Sequence, residues 1–451
     1  MNVTIANKFE QMKTLKNNKH LNRRQFIRMT ASATAALSFS PWPALGSPAL
    51  PGTKAKSVIY IWLAGGPSHL DTFDPKPKAG KDYSGPYRKP IATSVDDVFI
   101  GQKLPLLAKQ AHNYSLIRGM THGHFGHETA SYVMQTGTLP GGQLVYPSMG
   151  AVISYKKEPN YQESLPSYIT IPSASKRFNA GGFLGPKYKP FVTGGDPAKS
   201  NFSVDGLNTH YNSKAHLQDK KSLLHDLDRF SKEMEDYSKV NELSVYQEQA
   251  FTLFSGDARK AFDLSLEKES TKDRYGRTTL GQSCLLARRL VEQNVPFITV
   301  RSGGWDTHKL HFERMEQKLP QLDKAVATLI EDLEQRGLLD ETIILCGGEF
   351  GRTPKILWNA PWNGGRGHFG SAFSYLVVGG GLKKGFVYGK TNTRGETVVE
   401  NPVYPWDLTA TIYQLMGIDP SGTLPHPRGG LAYVLPDMKN SNRIVSDLIN
   451  I

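Results

Sequence analysis

Cysteine is almost absent: the 451-residue chain holds two, Cys284 and Cys346. Two thiols exclude a disulfide-stapled scaffold and a zinc knuckle. Both sit in apolar segments, which suits buried thiols or, at most, a single disulfide. Long apolar runs are also lacking, and no stretch reaches the roughly eighteen residues of an internal membrane span. Missing too is any Lys/Arg tract interleaved with aromatics, so no nucleic-acid partner is expected. The formal charge of +13 belongs in good part to the N-terminus: residues 1–46 carry seven Lys/Arg and one Glu, leaving 47 basic and 40 acidic side chains, +7, in the remainder. Such a mildly basic body is compatible with small anionic substrates.

The N-terminus has its own grammar, 22-NRRQFIRMTASATAALSFSPWPALGS-47. Paired Arg23 and Arg24 precede Phe26-Ile27, a weakly apolar stretch, and small residues with Ala44 and Gly46 at the −3 and −1 positions of a cleavage site. This pattern reads as a twin-arginine export signal over 1–46, with 47–451 as the exported part. The expected location is periplasmic or secreted, and the export machinery is an expected partner.

The body repeats one unit. Residues 57–64 form an apolar run ending in Gly65-Gly66-Pro67. Three more runs have the same form: 297–300 into Gly303-Gly304, 342–346 into Gly347-Gly348, and 375–378 into Gly379-Gly380-Gly381. Runs without polar alternation read as strands buried on both faces. Cys284, Ala287, Leu290 and Val291 recur at helical spacing before the second run. Leu319, Leu322, Val326, Leu329, Ile330 and Leu333 do so before the third. Leu408, Ile412 and Leu415 form a face near the C-terminus, with Asp407 placed to cap it and Gly417 to end it. The expected fold class is α/β, a mostly parallel central sheet flanked by helices on both faces. Residues about 155–275 break the rhythm with Gly/Pro/Lys-rich loops and a charged helical stretch over about 219–255. They read as a helical and loop insertion over the sheet, with Tyr161, Tyr168, Tyr188 and Tyr211 available to shape a sugar site.

Ligands of open α/β sheets bind beyond the carboxyl ends of the strands, and the Gly-Gly endings mark where backbone and ligand can approach closely. His69, Asp71 and Asp74 follow the first run; Asp306, His308 and His311 follow the second; Glu349 and Arg352 follow the third. Arg366 and His368 precede the fourth, and 122-HGHFGHETA-130 adds His122, His124, His127 and Glu128. Seven of the thirteen histidines lie in these loops. Mixed Asp/Glu/His ligation suits zinc or manganese, with calcium or magnesium as alternatives, and one or two ions.

The motifs GGPSHLDTFDPKP, HETA, CLLARRLVEQNVPFITV, GGWDTH, GEFGRTP, GRGHFG and DLTATIYQLMGIDP together carry a resemblance over essentially the whole chain. The sequence resembles the domain of unknown function 1501 family, exported proteins of the alkaline-phosphatase and sulfatase-like superfamily. The resemblance implies metal ligation by Asp306, His308, Glu349 and His368. The superfamily's Asp at the end of the first strand is replaced by Gly65-Gly66, so Asp71 becomes the candidate there, with His69 and Asp74 as rivals. The superfamily's nucleophile slot at a helix start falls on His127, two residues before Thr129. His127 is then a further metal ligand with water attacking directly, or the nucleophile itself, or the group that orients Thr129. Arg352 and Arg366 are the candidates for holding an anionic ester. The implied activity is metal-dependent hydrolysis of phosphate or sulfate esters, including esters on a carbohydrate. The alternatives are a non-catalytic metal-binding protein of the same fold and a phosphomutase-like transferase.

Overall fold

A computed structural model describes residues 54–174, 180–204, 257–436 and 444–450. The export signal and the charged 219–255 stretch, with Tyr211, lie outside the described residues. Eight strands form the central sheet: β1 (Ser57–Leu63), β2 (Tyr114–Met120), β3 (Tyr168–Ile171), β4 (Phe191–Val192), β5 (Phe297–Ser302), β6 (Thr342–Gly347), β7 (Phe373–Val378) and β8 (Phe386–Tyr388). Their order is β8-β2-β7-β6-β1-β5-β3-β4. Every pairing is parallel except those of β7, which runs antiparallel to both β2 and β6.

The central strand shows why the sheet needs cover on both faces. All seven residues of β1 are buried. Ile59, Ile61 and Leu63 join a core with α3 (Thr279–Val291) and α4 (His311–Gln335), whereas Val58, Tyr60 and Trp62 join a second core with α2 (Met149–Lys157) and α5 (Pro405–Leu415). Side chains alternate between faces along a strand, so a run apolar at every position must be sandwiched. The fold is the α/β class expected. Cys284 on α3 and Cys346 on β6 are both buried free thiols, and burial pushes Cys284 up to about 12. No helix among the described residues is long and apolar enough to cross a membrane.

Three details differ from the sequence reading. Residues 155–275 include β3 and β4, which extend the sheet beyond β5, so part of this stretch is sheet rather than cover. Tyr168 and Tyr188 pack edge-on against Phe297 and Tyr155 in that region, and the Tyr161 hydroxyl is buried. Asp407 is the third residue of α5 rather than its cap. Its carboxylate accepts from the Tyr404 N–H, closing the first turn from inside. Finally, because β7 is antiparallel, its Gly379–Gly381 end lies at the opposite edge from the other Gly-Gly endings, and it is the segment before β7 that reaches the carboxyl edge.

Candidate metal centre

Four connections meet at that edge. β5 ends at Ser302 and leads to Asp306 and His308; β6 ends at Gly347 and leads to Glu349 and Arg352. β2 leads through His122 and His124 to His127, the first residue of α1 (His127–Thr136). The segment before β7 delivers His368, which is fixed by a short antiparallel ladder pairing His368 with Arg352 and Phe369 with Gly351.

Asp306 is the hub. Its Oδ1 accepts from Arg352 at 2.5 Å and lies 3.0 Å from His308 Nε2 and 3.2 Å from His368 Nε2; its Oδ2 lies 3.2 Å from His127 Nε2. One ligand atom from each of His127, Asp306 and His368 falls within 4.8 Å of the others. The far nitrogens are spoken for. His127 Nδ1–H donates to Glu349 Oε1 at 2.6 Å, and His368 Nδ1–H donates to the Phe125 carbonyl at 2.7 Å. A neutral imidazole that donates through Nδ1 presents a lone pair at Nε2. Two such lone pairs therefore face one carboxylate, and His308 Nε2, 2.9 Å from His368 Nε2, adds a third nitrogen with at most one proton to share. A proton on His127 satisfies one of these contacts. A divalent cation satisfies all of them, with outer carboxylate and carbonyl partners orienting the imidazoles as metal sites require.

The electrostatics agree. Burial alone would raise the Asp306 carboxyl, but Arg352, His127 and His308 hold it below its usual value. The hydrogen bond to Glu349 raises His127 against the opposing effect of burial, while burial lowers His308 and His368. Phe350 fills the space behind two of the imidazoles, with ring centroids 5.0 Å from His127 and 4.7 Å from His368. Glu349 is buried and also accepts from the Gly65 N–H at 2.9 and 3.1 Å. The Gly65 backbone, at φ 114°, approaches so closely that a Cβ there would stand 2.3 Å from Asp306 N. The end of β1, where an Asp is expected from the resemblance, instead presents a backbone N–H that binds Glu349. Only glycine supplies it, and the Gly-Gly ending was the readable signal. His122 stands outside the cluster: its Nε2–H donates to the Glu349 carbonyl at 2.7 Å, and burial lowers it to about 4.

The structure does not bring every candidate to this cluster. Asp71 is buried in a separate triad, 2.9 Å from His311 Nε2 and 3.0 Å from Arg366 Nε. Burial opposes its ionisation, yet Arg366 and His311 hold it at about 2. Arg366, fully buried, also donates to the carbonyls of Thr353, Pro354 and Tyr83, and Arg352 to those of Gly65, Gly66 and Arg366. Both guanidiniums face inward to protein acceptors. His69 donates through Nε2 to the Gly395 carbonyl, and Asp74 accepts from Lys76 and Thr391. Thr129, half-buried in the first turn of α1, makes no hydrogen bond to the cluster.

Burial lowers His69 and His311 below 6.5. The unfolded chain takes up protons there that the folded chain refuses, so this stability is present above 6.5 and is lost as pH falls below it. Each imidazole contributes a slope of up to about 1.4 kcal/mol per pH unit. Unfolding in urea between pH 7 and pH 5 is expected to show falling stability. In His69→Gln, whose amide can still donate to the Gly395 carbonyl, the slope should drop by one proton; an unchanged slope would mean His69 titrates alike in both states.

A carboxyl-edge site of histidines and carboxylates on a mixed α/β sheet defines the class: an α/β protein with a candidate divalent-metal centre. The chain belongs to the family described as "Protein of unknown function (DUF1501)", which matches residues 55–444. Among solved structures it is similar to the lipoteichoic acid synthase LtaP from Listeria monocytogenes, at 11% identity and TM-score 0.35, covering 82% of this chain and 74% of that one. It is also similar to the alkaline phosphatase of the Antarctic bacterium TAB5, at 10% identity and TM-score 0.35, covering 81% and 99%. The PsFucS1 sulfatase from Pseudoalteromonas sp. matches at 13% identity and TM-score 0.34, covering 81% and 68%. These are likenesses of fold. No curated protein matches the chain.

Proposed function

We propose that the protein is an exported, metal-dependent hydrolase of phosphate or sulfate esters, with His127, Asp306, His308 and His368 as ligands. The observation that supports it is the convergence of imidazole Nε2 atoms on Asp306, with Nδ1 of His127 and of His368 each committed to an outer acceptor. Bound there, a divalent ion supplies Lewis acidity toward an ester oxygen. The chain's own groups do the positioning. Arg352 fixes the Asp306 carboxylate, Glu349 holds a proton at His127 Nδ1, and Phe350 limits water behind the imidazoles. The positive end of α1 begins at His127 and favours an anionic group beside the cluster. With both guanidiniums turned inward, the ester's charge is met here rather than by Arg352 or Arg366. Export would follow from the twin-arginine pattern at 1–46.

The test pairs elemental analysis with turnover of 4-nitrophenyl phosphate, bis(4-nitrophenyl) phosphate and 4-nitrophenyl sulfate. About one or more divalent ions per chain are expected, and at least one ester should be cleaved, with a loss of roughly hundredfold or more in His127→Ala together with metal loss. A large loss with metal retained would favour His127 as nucleophile. Bound metal with no turnover across the panel would overturn the hydrolase reading in favour of a metal-binding protein.

A further inference from the structure

Beside the cluster the chain exposes residues that it hides elsewhere. Trp62 and Trp305 are 4% and 1% exposed, whereas Trp358 and Trp362 are 41% and 37% exposed. The latter two lie four residues apart in 355-KILWNAPWN-363. Indoles carry a large apolar surface, and leaving two of them in water on one short segment forgoes stabilisation that burial would give. The segment is a closed hairpin. Leu357 N–H donates to the Gly365 carbonyl and Gly364 N–H to that of Leu357, while Trp362 N–H tightens the tip by donating to Asn359.

The hairpin is also docked firmly on the metal centre. Leu310 N–H donates to the Trp362 carbonyl, and the backbone at Gly365 lies so close to His308 that a Cβ there would overlap the His308 carbonyl. The Trp362 ring lies 6.1 Å from that of His308, and Trp358 stacks on Phe312 at 6.0 Å. Phe312 is itself braced by Tyr87 and by the Arg366 guanidinium. A platform held this way loses little freedom when a ligand lands on it.

The occupant must match aromatic faces set among hydrogen-bonding groups. Asn359 and Asn363 are exposed at the same tip, and Lys309 and Lys355 are exposed in the segments that flank it. A pyranose ring has this make-up: its C–H face is apolar enough to lie on an indole, and its hydroxyls at the rim suit amides and ammonium groups. An acyl chain needs a continuous apolar trough, which the asparagines and lysines interrupt. We propose that the Trp358–Trp362 hairpin is a saccharide subsite of the metal centre, holding the sugar ring whose phosphate or sulfate ester reaches the cluster around Asp306. The ester half of this statement rests on the hydrolase reading; the saccharide half rests on the hairpin alone.

Affinity electrophoresis of the full chain tests it, in gels containing sulfated galactan, dextran sulfate or phosphomannan, with galactan and dextran as unsubstituted counterparts. At least one polysaccharide should retard the protein. Trp358→Ala and Trp362→Ala should each weaken that dissociation constant tenfold or more, and Trp362→Phe should keep it within threefold. No retardation by any of these polysaccharides, retardation unchanged by both alanine variants, or binding to phosphatidylglycerol vesicles in their place would overturn the subsite. Retardation that depends on the hairpin, without turnover of any ester, removes the hydrolase and leaves the subsite. Aryl-ester turnover without retardation does the reverse.

Discussion

Replacing Asp306 with asparagine is expected to empty the metal centre while leaving the fold intact. Asparagine keeps an oxygen for the Arg352 guanidinium that Oδ1 now binds at 2.5 Å. Its amide nitrogen takes the place of Oδ2, where it donates to the His127 lone pair now 3.2 Å away. The substitution therefore relieves the acceptor contact with His127 without a cation and removes the one charged ligand at the hub. Metal affinity should fall about a hundredfold or more, roughly 2.7 kcal/mol, and ester turnover should fall with it. Because an ion that binds only the folded chain stabilises it by mass action, zinc or manganese should raise the unfolding midpoint of the natural protein and leave that of Asp306→Asn unmoved. In chelator the two should unfold within about 1 kcal/mol of each other. A variant that still takes up the ion, or a natural chain with no thermal response to any divalent ion, would remove the centre around Asp306.

Much of this arrangement was readable from residue order, because strand ends carry their own marks. Asp306, His308, Glu349 and His368 each follow or precede an apolar run edged with glycine, and a parallel sheet gathers such loops on one side. β2 was harder to see, since Arg118 interrupts its apolar run. In the structure Arg118 is accommodated by reaching the Phe73 and Phe99 carbonyls and lying near Asp74. The reversal of β7 leaves no local trace either, because direction in a sheet depends on how distant segments pair. Asp71 shows the deeper limit. Its residue type and loop fit a metal ligand, but a carboxylate goes to whichever cation the fold brings nearest. Here that cation is Arg366, 295 residues away. Gly65 illustrates the opposite case: a side chain expected at that place is absent, and the backbone N–H there positions the Glu349 carboxylate instead.

The second large effect lies in that diverted pair. Arg366→Met is expected to destabilise the chain by about 3–5 kcal/mol, because it removes the cation from the buried Asp71 carboxylate and leaves it the His311 hydrogen bond. Burial lowers the Arg366 guanidinium, but arginine starts so far above neutrality that it stays charged opposite an Asp71 held at about 2. The pair is therefore ionic, and neither partner has water to fall back on, since both are buried to 1% exposure or less. Arg366→Met also frees the Thr353, Pro354 and Tyr83 carbonyls that the guanidinium gathers. His368 follows two residues later, so the loss should spread to the metal centre and lower ion occupancy as well. The double variant Asp71→Leu/Arg366→Met removes both charges and should recover at least half of the lost stability by urea unfolding, since replacing a whole buried pair costs far less than orphaning one member. If the single variant unfolds like the natural chain, the triad is not what fastens the segment before β7. If the double variant is no better than the single one, the carbonyl contacts rather than the ion pair are what hold His368 in reach of Asp306.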